Sequence, residues 1–277
     1  MRKLLTSAVF YIIFFSNLAA DITVNLQGYK NIECEFEERV SYHKKPTNGS
    51  TFPHVPINIG TSTNWCGYVS ATNIFNPTPK SVTAVIGTWV VPKLKPTLVN
   101  SYTAIWVGID GFNNNTVEQI GTEHDWINGQ QVHSAWFEMY PEPSYNIIGF
   151  PVNVNDIIQG QVLYLGKTQF QLNLVNHTRK IYTTIPHNRT KSAVAIRSSA
   201  EWIVEAPFNN GILPLSNFER IVFVNCAVTI NQITGAILRK GWEIDALAMN
   251  TTEGIIKALP SPLTPNKQAF VVTWNHE

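Results

Sequence analysis

Apolar residues recur with a period of two along this chain, and no window sustains a helical period over three turns, so the sequence must fold through strands. Residues 81 to 91 place Val82, Ala84, Ile86 and Val90 on one face and Thr83, Val85, Trp89 and Val91 on the other, with Pro92 as the stop. Both faces are apolar, which predicts a strand in the middle of a sheet. In residues 169 to 175, Phe170, Leu172 and Leu174 face one way and Gln169, Gln171 and Asn173 the other, so that strand should have one wet face. Similar runs occupy 102 to 109, 134 to 140, 200 to 205, 221 to 230 and 269 to 274. Strands this closely spaced predict an all-β fold, a β-sandwich of two antiparallel sheets.

A length of 277 residues accommodates one large β domain, expected over residues 59–277. Only 14% of residues are charged and the net charge is +1, with no run of Lys or Arg to neutralise successive phosphates, so nucleic acid is excluded as a partner. Arg2 and Lys3 precede an apolar run from Leu4 to Leu18, and Ala19-Ala20 offer small residues for cleavage. Residues 1–20 thus read as a secretory signal peptide rather than a retained anchor. The expected mature chain is extracellular, outside the membrane and monomeric. Residues 21–58 form a distinct leader: Glu33, Glu35, Glu37 and Glu38 lie close together, followed by Lys44-Lys45-Pro46 and a stretch with Gly49, Pro53 and Pro56. A propeptide, an extra edge strand and a tail all fit it. Cys226 reads as a small buried hydrophobe on a face with Val222, Val224 and Val228, and it could pair with Cys66 only if their strands are neighbours.

Several catalytic patterns are missing, among them Gly-x-Ser-x-Gly, His-Glu-x-x-His and Asp-Thr-Gly. Glu123-His124-Asp125 suggests a metal, but strand alternation points His124 away from its neighbours, and a solvated loop is the better reading. Polar residues set among aromatics are more telling. Alternation puts Ser134, Trp136, Glu138 and Tyr140 on one face, a carboxylate between large rings that suggests a cleft wall. Glu201 and Glu205 likewise share a face, and a buried carboxylate there must be partnered or must line a cleft.

The ordered blocks Asn64-Trp65-Cys66-Gly67, Gly87-Thr88-Trp89-Val90-Val91-Pro92, Trp106-Val107-Gly108-Ile109-Asp110-Gly111, Gln119-Ile120-Gly121, Ala135 to Pro141 and Ala200-Glu201-Trp202-Ile203-Val204-Glu205 resemble the glutamic peptidases, or eqolisins. That resemblance implies a sandwich of concanavalin-like or jelly-roll type with a cleft across one curved sheet. It implies Glu201 and Gln119 as the catalytic pair, and Trp65, Asp110, Trp136, Glu138 and Tyr140 as residues that line or support the cleft. It further implies endolytic cleavage of protein or peptide substrates in acid with no metal or other cofactor, and a leader that holds the enzyme inactive. Ser134 stands where many members have an acidic residue, Glu123 where an aspartate is usual, and Ile120 replaces a threonine.

The proposed pair makes chemical sense independently of the name. Peptide hydrolysis needs a base for water, an acid for the leaving nitrogen and a donor for the oxyanion. One carboxyl can serve as base and then acid, and a glutamine amide remains a donor at any pH. A carbohydrate-binding sandwich, or a glycosidase using Glu138 and Glu201, also fits an aromatic cleft, but gives Gln119 no role. A peptidase relative that has lost activity is the third alternative.

Overall fold

The computed structural model describes residue 22 and residues 24–39, 59–190 and 194–277. The signal segment at 1–20 and the leader from Lys44-Lys45-Pro46 to Pro56 lie outside the described residues. Every regular element among those described is a strand. In chain order these are β1 (Lys30–Asn31), β2 (Glu35–Glu38), β3 (Ile59–Ser62), β4 (Trp65–Ala71), β5 (Val82–Val90) and β6 (Ala104–Ile109). There follow β7 (Val117–Ile127), β8 (Gln130–Tyr140), β9 (Ser144–Ile148), β10 (Ile157–Gly166), β11 (Gln169–Asn176) and β12 (Ile181–Asn188). The last are β13 (Ser199–Glu205), β14 (Arg220–Ile230), β15 (Ile233–Ala236), β16 (Glu243–Asn250), β17 (Ile256–Pro260) and β18 (Phe270–Trp274).

These strands form one hydrogen-bonded ladder folded into two layers. The first runs β1-β12-β11-β10-β5-β14, with β15 and β18 pairing to different parts of β14. The second runs β3-β16-β4-β13-β6-β7-β8-β9-β2. β17 pairs with both β18 and β16 and so carries the ladder from one layer to the other. Pairing is antiparallel throughout, apart from the parallel contacts of β1 with β12 and β3 with β16. β5 has neighbours on both sides, as its two apolar faces predict.

The core lies between the layers, and two tryptophans stitch it. Trp202 on β13 donates its indole N–H across the core to the Ile86 carbonyl at 2.8 Å, and Trp89 on β5 donates to Thr122 Oγ1 on β7 at 2.8 Å. Both rings are fully buried. Gly87 makes room for one of them, since a Cβ there would come within 2.7 Å of Trp202 Cδ1. Truncating either ring to alanine would cost about 3–5 kcal/mol.

Two expectations change in β14 and the cysteines. Asn225 takes a left-handed φ of 53° beside a register shift between Val224 and Ala227. This bulge reverses the alternation, so Phe223, Cys226 and Val228 point inward while Val222 is exposed. Cys226 is the buried hydrophobe expected, but does not share a face with Val222. Cys66 on β4 and Cys226 sit in different layers, and Cys34, Cys66 and Cys226 are all free. The described part of the leader is built into the ladder as edge strands, β1 on one layer and β2 on the other.

A histidine pair sits inside the second layer. Trp89 can only donate, so Thr122 Oγ1 accepts from it, and the same hydroxyl shares a hydrogen bond with His124 Nε2 at 2.8 Å. His124 Nδ1 and His133 Nδ1 share a hydrogen bond at 2.9 Å. Burial pushes both imidazoles below the ordinary histidine value, and His133 adds to the effect on His124. A depressed folded-state pKa means that the unfolded chain binds more protons, so this pair loses stability as the pH falls below about 6.5. Replacing His133 with Gln should therefore move the melting temperature relative to wild type in the variant's favour between pH 7 and pH 4. Thermal melts should register about 2–4 °C for each kcal/mol of linkage.

Candidate active site

Strand register assembles the site. Glu201 on β13 lies opposite Gly108 on β6, Gly108 opposite Gln119 on β7, and Gln119 opposite Glu138 on β8. Alternation turns Glu201, Gln119 and Glu138 away from the inter-layer core and onto one face. At about 4.8 Å per strand, the Cα atoms of Glu201 and Gln119 are roughly 10 Å apart, with only a glycine between them. Gln119 Nε2 donates to Glu138 Oε2 at 2.6 Å. Neither oxygen of Glu201, nor Gln119 Oε1, nor Glu138 Oε1, has a hydrogen-bond partner, although all are buried. A buried polar atom without a partner calls for an explanation, and four of them lie on this row.

The same burial sets the electrostatics. Desolvation raises the Glu201 carboxyl well above the ordinary carboxylate value; the nearby Ser199 hydroxyl works the other way, and the charges of Asp110 and Glu118 push it further up. Glu138 is also raised well above its usual value by burial and by Glu205, against the pull of Gln119, Arg39 and Arg189. Glu205, one of the residues whose role the sequence leaves open, is partnered: Trp106 Nε1 donates to Oε2 at 2.8 Å and Asn64 Nδ2 to Oε1 at 3.2 Å.

Aromatic residues frame the row. Trp65, Trp106 and Trp136 are buried in a second apolar cluster with Val69, Ile203 and Phe112, separate from the inter-layer core. Trp65 meets Trp106 edge to face at 4.8 Å. Tyr140 is half-buried against this cluster at the end of β8. The row is not an open cleft: Glu201, Gln119 and Glu138 are fully buried, and Ile74 and Phe112 from the loops after β4 and β6 join the cluster over that face. Asp110 sits outside the row, at the end of β6 with a φ of 71°. Its carboxylate accepts from Asn114 Nδ2 at 2.7 Å, from the Ser198 backbone N–H at 2.8 Å and from the Arg197 N–H at 2.5 Å. It therefore fixes the lead-in to β13 and Glu201.

Glu123, His124 and Asp125 belong to β7 and are not a solvated loop. Strand pairing on both sides buries Glu123 and His124, and as alternation requires, His124 faces away from the two carboxylates. Glu123 forms a buried ion pair with Arg39, whose guanidinium lies 5.2 Å from the Trp136 ring centroid. Burial lowers the Arg39 pKa to about 10 and raises Asp125 to about 7. These groups, with Glu37, Glu38 and Tyr102, line a cavity of about 420 Å³. Among the described residues no three His, Cys, Asp or Glu side chains group as metal ligands. Sequence reading missed Arg39 and Gly108. Arg39 ends the acidic run of the leader, a signal that was available, whereas the role of Gly108 depends on register.

A two-layer β-sandwich carrying buried carboxyl and amide groups on one row is the class of protein that fold and geometry define. The chain belongs to the Peptidase A4 family, whose model matches residues 63–255. It is 28% identical over 127 residues to aspergillopepsin-2 of Aspergillus niger, an alignment covering 45% of each chain. With scytalidopepsin B of Scytalidium lignicola it shares 30% identity over 164 residues, 53% of this chain and 62% of that one. The matches thus span about half to three fifths of these relatives' length. A crystal structure of scytalido-glutamic peptidase with a transition state analog inhibitor superposes with a TM-score of 0.64 at 22% identity, covering 77% of this chain and 98% of that one. The structure of aspergilloglutamic peptidase from Aspergillus niger gives 0.57 at 22% identity over 63% and 99%. These structures share the fold.

Gly108 is the residue on which the row's spacing turns. A Cβ there would lie 2.9 Å from Trp106 Cζ3 and 3.2 Å from Gln119 Cβ. Gly108→Ala should overpack the site and lower stability by about 1–3 kcal/mol, read from urea unfolding.

Proposed function

We propose that this chain is a glutamic endopeptidase that hydrolyses peptide bonds of proteins in acid, with Glu201 and Gln119 as its catalytic residues. The observation that carries the reading is the row itself: a carboxyl and an amide flank a glycine, and the amide is held by a second carboxyl. Gln119 has two N–H groups. One is engaged by Glu138, which leaves the other to donate to the oxyanion and Oε1 to orient water. Burial raises the Glu201 carboxyl well above its ordinary value and so favours its neutral form in acid. A neutral carboxyl has a proton to give and a carbonyl oxygen to accept one. Glu201 takes a proton from water as it hands its own to the peptide, and it ends the step neutral. Activity then falls as the pH rises past its raised pKa.

Trp65, Trp136, Glu138 and Tyr140 would border the substrate, and Asp110 would support Glu201 from behind. Because the row is buried, substrate entry requires the side chains over it to part. Residues 1–20 would direct export, placing the enzyme outside the cell. Residues 24–39 would act as a strap: β2 extends the edge of the active layer and Arg39 plugs the acidic cavity beside Trp136. Arg39→Ala should loosen that strap, and N-terminal sequencing should then find shortened chains sooner in acid than for wild type.

A pH series of casein digestion tests the central claim. Wild type should cleave in acid with chelator, pepstatin and serine or cysteine reagents present. Glu201→Gln and Gln119→Ala should each lose at least about a hundredfold, the scale of a lost oxyanion donor. Retained cleavage in both variants would sink the assignment. Glu201→Gln should also melt higher than wild type at neutral pH, because a carboxyl with a raised folded-state pKa costs stability as the pH climbs above its ordinary value.

A further inference from the structure

Directly behind the row, on the core side of the same two strands, lies a buried ion pair that no step above uses. Glu118 precedes Gln119 on β7 and therefore points into the space between the layers. Arg189 reaches it from the end of β12, in the opposite layer. Its guanidinium donates through Nε to Glu118 Oε1 at 2.8 Å and through Nη2 to the same oxygen. Nη1 donates to the Met139 carbonyl at 2.5 Å, and Nη2 donates to the Tyr140 carbonyl at 2.7 Å and more weakly to that of Val117 at 3.4 Å. Both side chains are almost wholly buried.

The acceptors are informative. Met139 and Tyr140 follow Glu138 on β8, and Val117 and Glu118 precede Gln119 on β7. One side chain thus grips both strands within two residues of the Gln119–Glu138 hydrogen bond. Burying a guanidinium is costly, and a purely structural need at this position could be met by apolar packing between the layers. A planar fork with five fixed donors suits the joint orientation of two strands, which an ammonium cannot reproduce.

We propose that Arg189 is a positioning residue for catalysis: through Glu118 and the carbonyls of Val117, Met139 and Tyr140 it fixes the spacing of Gln119 and Glu138, and it places a buried positive charge behind them. The inference rests on the peptidase reading above. Its electrostatic half follows from the surroundings. Glu138 faces Glu205, Gln119, Arg39 and Arg189; Glu201 faces Ser199, Asp110 and Glu118; and Glu118 faces Arg189, Arg197 and Asp110. Arg189 and Arg39 are the cations that favour ionised Glu138. Burial raises the Glu118 carboxyl against the pull of Arg189.

Position and charge can be separated by two variants of the full chain. Arg189→Lys keeps the charge and loses the fork. Its kcat on an internally quenched peptide should fall by roughly a hundredfold, the scale of a small misplacement of catalytic groups, while the pH limb on which activity rises as Glu138 ionises stays where it is in wild type. Arg189→Met loses both, so kcat should fall and that limb should move to higher pH. If Arg189→Met does not fold, Arg189→Gln, neutral but able to donate, replaces it with the same expected upward shift. Wild-type kcat in Arg189→Lys, or an unmoved limb in the neutral variant, would overturn the inference. Failure of the wild-type chain to cleave the peptide in the same assay would instead refute the peptidase reading.

Discussion

Everything distinctive in this molecule depends on the register between β13, β6, β7 and β8. A shift of one residue in any of these ladders would turn Glu201, Gln119 or Glu138 into the inter-layer core and bring a core-facing neighbour onto the row. The tryptophans oppose such a shift. Trp202 is the immediate neighbour of Glu201, and its bond to the Ile86 carbonyl fixes which face of β13 is inward. The core thus sets the position of the site: each inward ring determines the outward direction of the polar group beside it.

The site is also where the fold accepts an energetic penalty. Glu201 and Glu138 are held in a dry environment without full hydrogen bonding, which a structure selected only for stability would avoid. Neighbouring groups are arranged differently. Glu205 has an indole and an amide as donors, Asp110 has a cage of backbone and side-chain donors, and Glu118 has a guanidinium. Carboxyls with stronger donors thus surround Glu201, neither of whose oxygens has a partner.

Much of the fold could be read in the sequence because alternation is a local signal. The seven runs identified from it all became strands, and β5 took the central place that its two apolar faces required. The readings that failed did so for non-local reasons. Glu123-His124-Asp125 reads as a hydrophilic loop until pairing with β6 and β8 buries it, and the exchange of faces in β14 comes from a single left-handed residue, Asn225. Glu201 and Glu138 were legible as candidates because carboxylates among aromatics on a strand are conspicuous. Gln119 was not. A glutamine on a strand is an ordinary residue, and it stood out only through resemblance to a family. Arg39 left a signal at the end of the acidic run of the leader, whereas Arg189 was beyond reach, since it acts on strands more than forty residues away.

The two edge strands from the leader close opposite ends of the ladder. β1 pairs with the first two residues of β12 and β2 with the free side of β9, yet a single short stretch of chain supplies both. A sheet folded on itself in this way has two raw margins, each a row of unpaired amides and carbonyls able to template another chain. One hem lies along part of both, which makes a single stretch of leader the outermost chain at each end of the ladder.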